Sequence, residues 1–476
     1  MSELSERKRA LLESAGANGR LGARERIAKL LDEGSFVELG TIARAGGDAP
    51  GVVTGFGTVE DRPVYLYAQE YSRKGAGMDA AQAGKITRVI ELAAKTGAPL
   101  LAILDSAGAK LEEGVLALDA YAKVMAATAR ISGVVPSLAL VLGPCVGGAA
   151  YIPGISDFVI AAQKASALFV TGPQVVSART GEDISADALG GAEALAKSGA
   201  AHLAAKDEAE ALALARKLLS FLPANNEEDS PLALQDDLNR QLDISSYADV
   251  HDLFARIADF NDFFELQGGY AKNLVTGLAR LGGRTVGLLG NNPASHDGVL
   301  CHKAAGKAAR FVGFCDSFNI PVLSFISTKG PSTVTAEQNA ASIKAGAQLI
   351  GAYASATVPK ISVICGDAVG SAYVALGSKE LGADLVYAWP SAFIAPMEDD
   401  AAVAILNREE IKAGEDAEAL REAYREKNDG FGAAEKGAVD DVIEPASTRQ
   451  ILAAALEALL GKREAILPRK HGNLPL

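Results

Sequence analysis

The segment LALVLGPCVGGAA, Leu138 to Ala150, returns 223 positions later as ISVICGDAVGSAY, Ile361 to Tyr373. In each, five mostly apolar residues run into a string of small ones, which reads as a buried strand passing into the first turn of a helix. Flanking residues repeat at nearly the same spacing. Thr54-Gly55 matches Thr276-Gly277, Gly84-Lys85 matches Gly306-Lys307, Arg88 matches Arg310 and Pro99 matches Pro321, all 222 positions apart. Pro136 matches Pro359, and FVEL (Phe36 to Leu39) returns as FFEL (Phe263 to Leu266). So many unlike residues near one offset identify a tandem duplication of a single domain.

Each copy alternates strands with helices. KITRVIELAAKTG places Ile86, Val89, Ile90 and Ala93 on one helical face, and Pro99 then opens the apolar run Leu100 to Leu104. A second helical stretch leads to Pro136 and the run Leu138 to Leu142, and the other copy answers with Val322 to Ile326 and Ile361 to Cys365. Strands joined through helices pair in parallel, so the expected class is α/β with helices covering each sheet. The polar segment Pro223 to Gln241 reads as the linker, which sets domains at 1–230 and 231–476. ILAAALEALLGK reads as a closing helix stopped by Gly461.

The chain's 476 residues carry a net charge of −13, with 49% hydrophobic and 22% charged residues. That balance argues against broad nucleic-acid or anionic-membrane binding, both of which need excess cation. No apolar run approaches the roughly 18 residues that span a bilayer, so no membrane insertion is expected. The first residues, MSELSERKRALLE, read as a charged helix and not an export signal. Cys145, Cys301, Cys315 and Cys365 fit no disulfide framework or zinc ribbon and read as reduced core residues, hence a cytoplasmic protein.

The small residues after the two central strands carry the chemistry. They let a ligand approach the backbone and aim the unpaired N–H groups of a first helical turn at it, as stabilisation of an enolate or oxyanion requires. Tight helix–strand packing is the plainer reading of one such turn, and its recurrence in both copies weighs against it. Two further loops, Asp105 to Gly114 and Ser327 to Thr333, follow the preceding strands and present Lys110 and Lys329 to an anion. Alternatives fail: there is no GxxxxGK[ST], no HExxH among the five histidines, no His near Cys145 in sequence and no Met-Lys pair for biotin attachment. His296, Asp297 and His302 make a poor metal set, and no metal is expected.

The chain resembles the carboxyltransferase (β-type) subunits of biotin-dependent acyl-CoA carboxylases and decarboxylases, propionyl-CoA carboxylase β chains above all. The likeness rests on GARERI (Gly22 to Ile27), VTGFG (Val53 to Gly57), the Asp105-Ser106-Ala107-Gly108 loop, GPCVGGAAY, FVTGP, FLPANN, KAARFVGFCDSFNIPV and LGSKELGADLVYAWP (Leu376 to Pro390). It implies two crotonase-like (superhelix) domains, with acyl-CoA on the N-terminal one, biotin entering along the C-terminal one of a partner subunit, and hence an obligate oligomer. It implies transfer of CO2 between biotin on a carrier protein and the α-carbon of a short acyl-CoA. By motif match, Gly147 and Gly148 would hold the thioester oxygen, and Ser371 and Ala372 the biotin oxygen. Ala107, Gly108, Lys110, Ala149, Tyr151, Lys329, Gly370, Tyr373 and Val374 would contact the substrates, with Val374 suited to a short alkyl chain. Implied partners are a biotin carboxylase, a biotin carboxyl carrier protein and further copies of this chain, as a trimer of dimers. Three departures stand out: Ser371 for a Gly, Lys110 for an Arg, and Thr328-Lys329-Gly330-Pro331 for a Pro-Gly-Phe loop. Decarboxylation by the same site, and a non-catalytic chain that binds CoA esters, remain as alternatives.

Overall fold

The repeated Thr-Gly pair marks a crossing of two strands too close for any side chain. A Cβ on Gly55 would lie 2.3 Å from the Val37 carbonyl oxygen and 2.6 Å from the Phe36 ring, and one on Gly277 would meet the Phe264 oxygen at 2.4 Å and the Phe263 ring at 2.5 Å. Beside each glycine the threonine hydroxyl donates to a strand carbonyl, Thr54 to Leu39 at 2.9 Å and Thr276 to Leu266 at 3.1 Å. The computed structural model describes residues 20–43, 50–244, 246–247, 249–332 and 335–465, with 468 and 473, and of 336 and 337 the backbone alone. The stretch MSELSERKRALLE and His471 lie outside the described residues.

Two compact units meet between Asp229 and Ser230. The first holds β1 (Val37–Leu39), β2 (Val52–Val59), β3 (Arg62–Gln69), β4 (Leu100–Ser106), β5 (Ser137–Val146), β6 (Phe158–Ala162), β7 (Ala167–Phe169) and β8 (Leu203–Ala205). They pair in the order β1-β2-β3-β4-β5-β6-β8, with β7 beside the end of β5. Pairing is antiparallel from β1 to β3 and parallel beyond. The second unit holds β9 (Phe264–Leu266), β10 (Leu274–Leu281), β11 (Arg284–Asn291), β12 (Val322–Thr328), β13 (Lys360–Val369), β14 (Leu385–Ala388), β15 (Phe393–Ala395) and β16 (Asp441–Val442). Its order, β9-β10-β11-β12-β13-β14-β16 with β15 beside β13, repeats the first.

The matched prolines end one element and register the next. Pro136 and Pro359 accept from Leu100 and Val322, each at 2.9 Å, and so align the central strands. The expected helical face is buried, since Ile86, Val89, Ile90 and Ala93 of the helix Ala80–Thr96 are at most 1% exposed. The segment expected as a linker has no regular element between Phe221 and Val250 among the described residues, yet it is strapped down. Asn226 donates to Val134 in the first unit, and the Ala233 amide and Arg240 guanidinium donate to Gly283 and Ala258 in the second. The closing helix spans Thr448–Leu459, and Gly461 forms no left-handed cap there.

Matched Lys85, half-buried, and Lys307, buried, are both bound to main-chain carbonyls. Lys85 Nζ donates to Val52 at 2.9 Å, and Lys307 Nζ to Gln267, Tyr270 and Leu274 at 3.1, 3.1 and 2.8 Å. Burial pulls both amines down to about 8. Their burial cost therefore falls as pH rises from about 8 toward the ordinary lysine value near 10.5. Lys307→Met strands three carbonyls and is expected to cost about 3 kcal/mol by chemical denaturation; an unchanged midpoint would mean that water replaces the amine without penalty.

Candidate active site

In the first unit β5 runs buried to Cys145 and then turns through Gly147–Ala150 into the short helix Tyr151–Ile155. Gly147 takes φ +69°, a conformation that favours glycine, and the Gly147 and Gly148 amides belong to the first turn, where N–H groups have no partner within the helix. Neither amide donates to a loop or cap carbonyl among the described residues. Behind Gly148 lies the ring of Tyr121, which a Cβ there would meet at 3.2–3.6 Å. The Tyr121 hydroxyl is buried without a hydrogen-bond partner among the described residues, and burial holds its pKa above the ordinary range.

The loop after β4 completes this side. Ser106 Oγ donates to Ala76 at 2.8 Å and accepts from Gly108 at 3.2 Å. Gly108, at φ +112°, brings its Cα so near β5 that a Cβ would sit 3.3 Å from the Val146 oxygen. Met78 and Lys110 exchange backbone bonds across this loop, Met78 with Gly108 at 2.9 Å and Lys110 with Met78 at 3.1 Å. A cleft of about 590 Å³ opens here, lined by Ala107 and Lys110 and also by Ser72, Arg73, Lys74 and Asp79. Lys110 is held by Asp79 and Glu113, each at 3.3 Å, and its pKa is raised, first by the bond to Glu113 and then by that to Asp79. It is thus a neutralised cation, and Arg73 and Lys74 on the neighbouring loop add the further positive charge. Sequence reasoning passed over that loop. Its signal was SRKGAG, two adjacent cations before a Gly-x-Gly between a strand and a helix.

In the second unit β13 ends at Val369 and the helix Gly370–Ala375 follows. Gly370 takes φ +63° and occupies the place of Gly147, so Ser371 matches Gly148 and needs no left-handed backbone. The serine departure from the family pattern therefore leaves the turn's geometry intact. The donors expected in the second copy, Ser371 and Ala372, lie one residue further along their turn than Gly147 and Gly148 do along theirs. A cleft of about 440 Å³ is lined by Lys329, Gly370, Ser371, Pro396, Met397 and Glu398 among others. Isolated bridges pair Met78 with Ala109 and Leu300 with Pro331, which aligns Lys329 with Ala107 and Lys110 with Ser332. The two lysines are thus not counterparts.

Other expected site residues are scattered. Ala149 and Ala372 are buried at 1%, Tyr373 is half-buried with burial raising its hydroxyl pKa, and Tyr151 and Val374 are exposed. The cleft in the first unit is not lined by Gly147 or Gly148, which adjoin it through Gly108. Cys145 is buried and its thiol pushed up to about 12, first by burial and then by Asp105, so it makes no nucleophile. No group of three or more His, Cys, Asp or Glu side chains placed for a metal occurs among the described residues. Nor is any helix among them long and apolar enough to cross a membrane.

Residues 15–474 match the family described as the carboxyl transferase domain. The chain is 42% identical to the methylmalonyl-CoA carboxyltransferase 12S subunit of Propionibacterium freudenreichii subsp. shermanii, over 98% of this chain and 93% of that one. It is 42% identical to the propionyl-CoA carboxylase beta chain of Saccharopolyspora erythraea, over 97% and 91%. It is 41% identical to the methylmalonyl-CoA decarboxylase subunit alpha of Veillonella parvula, over 98% and 95%. The solved structure of transcarboxylase 12S, a hexamer assembly with methylmalonyl-coenzyme A and methylmalonic acid bound, superposes with a TM-score of 0.94 at 41% identity, over 99% of this chain and 97% of that one. The duplicated sheets, the glycine turns at the ends of β5 and β13 and these full-length likenesses agree: the chain belongs to the carboxyl transferase domain family, that of the carboxyltransferase chains of acyl-CoA carboxylases and decarboxylases.

Proposed function

We propose that this chain transfers a carboxyl group between biotin on a separate carrier protein and the α-carbon of a short-chain acyl-CoA. The observation that carries this reading is the pair of strand-to-helix turns, each opened by a glycine at positive φ and each presenting the amides of a first helical turn, which have no acceptor within their own helix. Acyl-CoA binds along the first unit, its phosphates toward Arg73 and Lys74 and its thioester oxygen on the Gly147 and Gly148 amides. Biotin, when bound, supplies the ureido nitrogen that carries the carboxyl group. The second cleft suits such a ring, with Pro331, Pro396 and Met397 offering apolar walls beside the Gly370 turn, and Ser371 and Ala372 hold the ureido oxygen. Both turns act as preorganised donors where negative charge develops. The exposed Val374 favours a short alkyl group.

The relatives bear carboxylase, transcarboxylase and decarboxylase names, and one site serves all three. Partner proteins, a biotin carboxylase and a biotin carboxyl carrier protein, set the net direction. The working form is a homo-hexamer, as the solved 12S relative's hexamer assembly suggests, and the four unpaired cysteines favour the cytoplasm. Incubating the purified chain with malonyl- or methylmalonyl-CoA, with and without free biotin, tests the reading. Biotin-dependent loss of the thioester-bound carboxyl is expected, and its absence on every short acyl-CoA would refute it. Ser371→Gly is expected to exchange within about threefold of the parent, since serine and glycine supply the same amide; a collapse would assign the hydroxyl a role.

A further inference from the structure

Among the described residues a single cation lines the second cleft, and it stands where the first copy has only a methyl group. Lys329 occupies the position of Ala107, yet the backbone around it is unaltered, with Gly330 at φ +113° against +112° for Gly108. The loop packs directly on the amide turn. A Cβ on Gly330 would lie 3.5 Å from the Val369 oxygen, and one on Gly370 would lie 3.7 Å from Pro331 Cδ. Lys329 lines the cleft with Gly370 and Ser371, is exposed, and forms no ion pair among the described residues. Lys110, by contrast, is spent on Asp79 and Glu113. The other charges on the second cleft's lining are the carboxylates Glu398 and Asp400.

We propose that Lys329 is a catalytic residue of the second cleft that binds the group in transit as a carboxylate, beside the amides of the Gly370 turn. This rests on the carboxyl-transfer reading and adds to it the chemical class that the cleft holds. The amides of the turn are taken by the ureido oxygen, so the ammonium is the donor that lies beside them for the carboxylate oxygens. Lysine serves as a flexible point charge that can follow the group as it moves. Lys329 forms no covalent bond to it. Without this cation only Glu398 and Asp400 would face an arriving anion, and both repel it.

The test uses the full chain and malonate as probe. Trinitrobenzenesulfonate modifies accessible lysines, and peptide mass spectrometry reads Lys329 apart from every other lysine, so anions bound elsewhere do not interfere. Malonate is expected to slow modification of Lys329, while neutral malonamide leaves it unchanged. In calorimetry, Lys329→Met is expected to weaken malonate binding by about tenfold, as loss of one charge-assisted contact implies. Lys329→Arg should stay within about threefold because the charge is kept. Glu398→Gln should tighten binding. In carboxyl exchange with biotin, Lys329→Met should lower kcat by about tenfold and leave KM for the acyl-CoA unchanged. Labelling of Lys329 that is indifferent to malonate, with equal affinities in the parent and Lys329→Met chains, would overturn the proposal. If the parent shows no exchange while malonate still protects Lys329, the carboxyl-transfer reading fails and the anion site stands.

Discussion

Gly148→Pro is expected to lose carboxyl exchange by about a hundredfold to a thousandfold in kcat, with little change in KM for the acyl-CoA. That range is the cost of deleting one preorganised donor to a developing oxyanion. Proline removes the N–H and nothing else that could titrate or attack, and Gly148 itself is not at positive φ. Gly148→Ala is the control. It keeps the N–H, but its Cβ arrives 3.2 Å from the Tyr121 ring. A shift of a few tenths of an ångström accommodates it, so a loss of no more than about tenfold is expected. Circular dichroism and thermal melting separate a folded, inactive proline variant from an unfolded one. A folded proline variant with parental kcat would remove Gly148 from the site.

Arg26→Met is expected to destabilise the first unit by about 3 kcal/mol, the cost of taking the buried cation from buried Asp105 and half-buried Glu208 and leaving Asp105 with Arg20 alone. Arg26, 1% exposed, donates to Asp105 at 2.8 Å, to Glu208 at 2.9 Å and to the Leu142 carbonyl at 2.9 Å. Burial pushes the Asp105 carboxyl up even with Arg26 and Arg20 pulling it down. Without Arg26 it rises further above its unfolded value, so the folded variant binds a proton that the unfolded chain releases. The penalty should therefore shrink as pH falls toward about 5 and grow toward neutrality. Thermal melting is expected to drop by roughly 10 °C at neutral pH for a unit of this size. A drop independent of pH would show that packing, and not charge, is what Arg26 supplies. The same network steers the site, since Asp105 precedes the Ser106 bond to Gly108. It also fixes Gly143, where a Cβ would strike Asp105 Oδ1 at 2.0 Å.

The duplication was legible because its matched residues are backbone necessities. Gly55 and Gly277 face counterpart phenylalanines, Phe36 and Phe263, and Pro136 and Pro359 sit at the heads of counterpart strands. The glycine demand allows no side chain, so it stands in both copies as the same letter. The turns at the ends of β5 and β13 were legible for the same reason. Other features depend on contacts distant in sequence. The pairing of Lys110 with Asp79 arises only when the loops after β3 and β4 zip together. Arg73 and Lys74 reach the cleft because Lys74, Gly75 and Ala76 form a left-handed run, φ +50°, +67° and +48°. No local preference announces such a run at lysine or alanine. Its counterpart at His296, Asp297 and Gly298 shares the shape with none of the letters. Gly84 and Gly306 match in sequence, yet a Cβ on either would meet open space, and nothing in the fold explains them.

Main-chain N–H groups, with no reactive side chain, are held here to polarise the thioester. Infrared difference spectroscopy of propionyl-CoA labelled with carbon-13 at the thioester carbonyl reads that polarisation directly. The carbonyl stretch is expected at lower frequency on the parent chain than in solution, and back at the solution value on Gly148→Pro. A bound carbonyl that vibrates as it does in water on the parent chain would contradict the account.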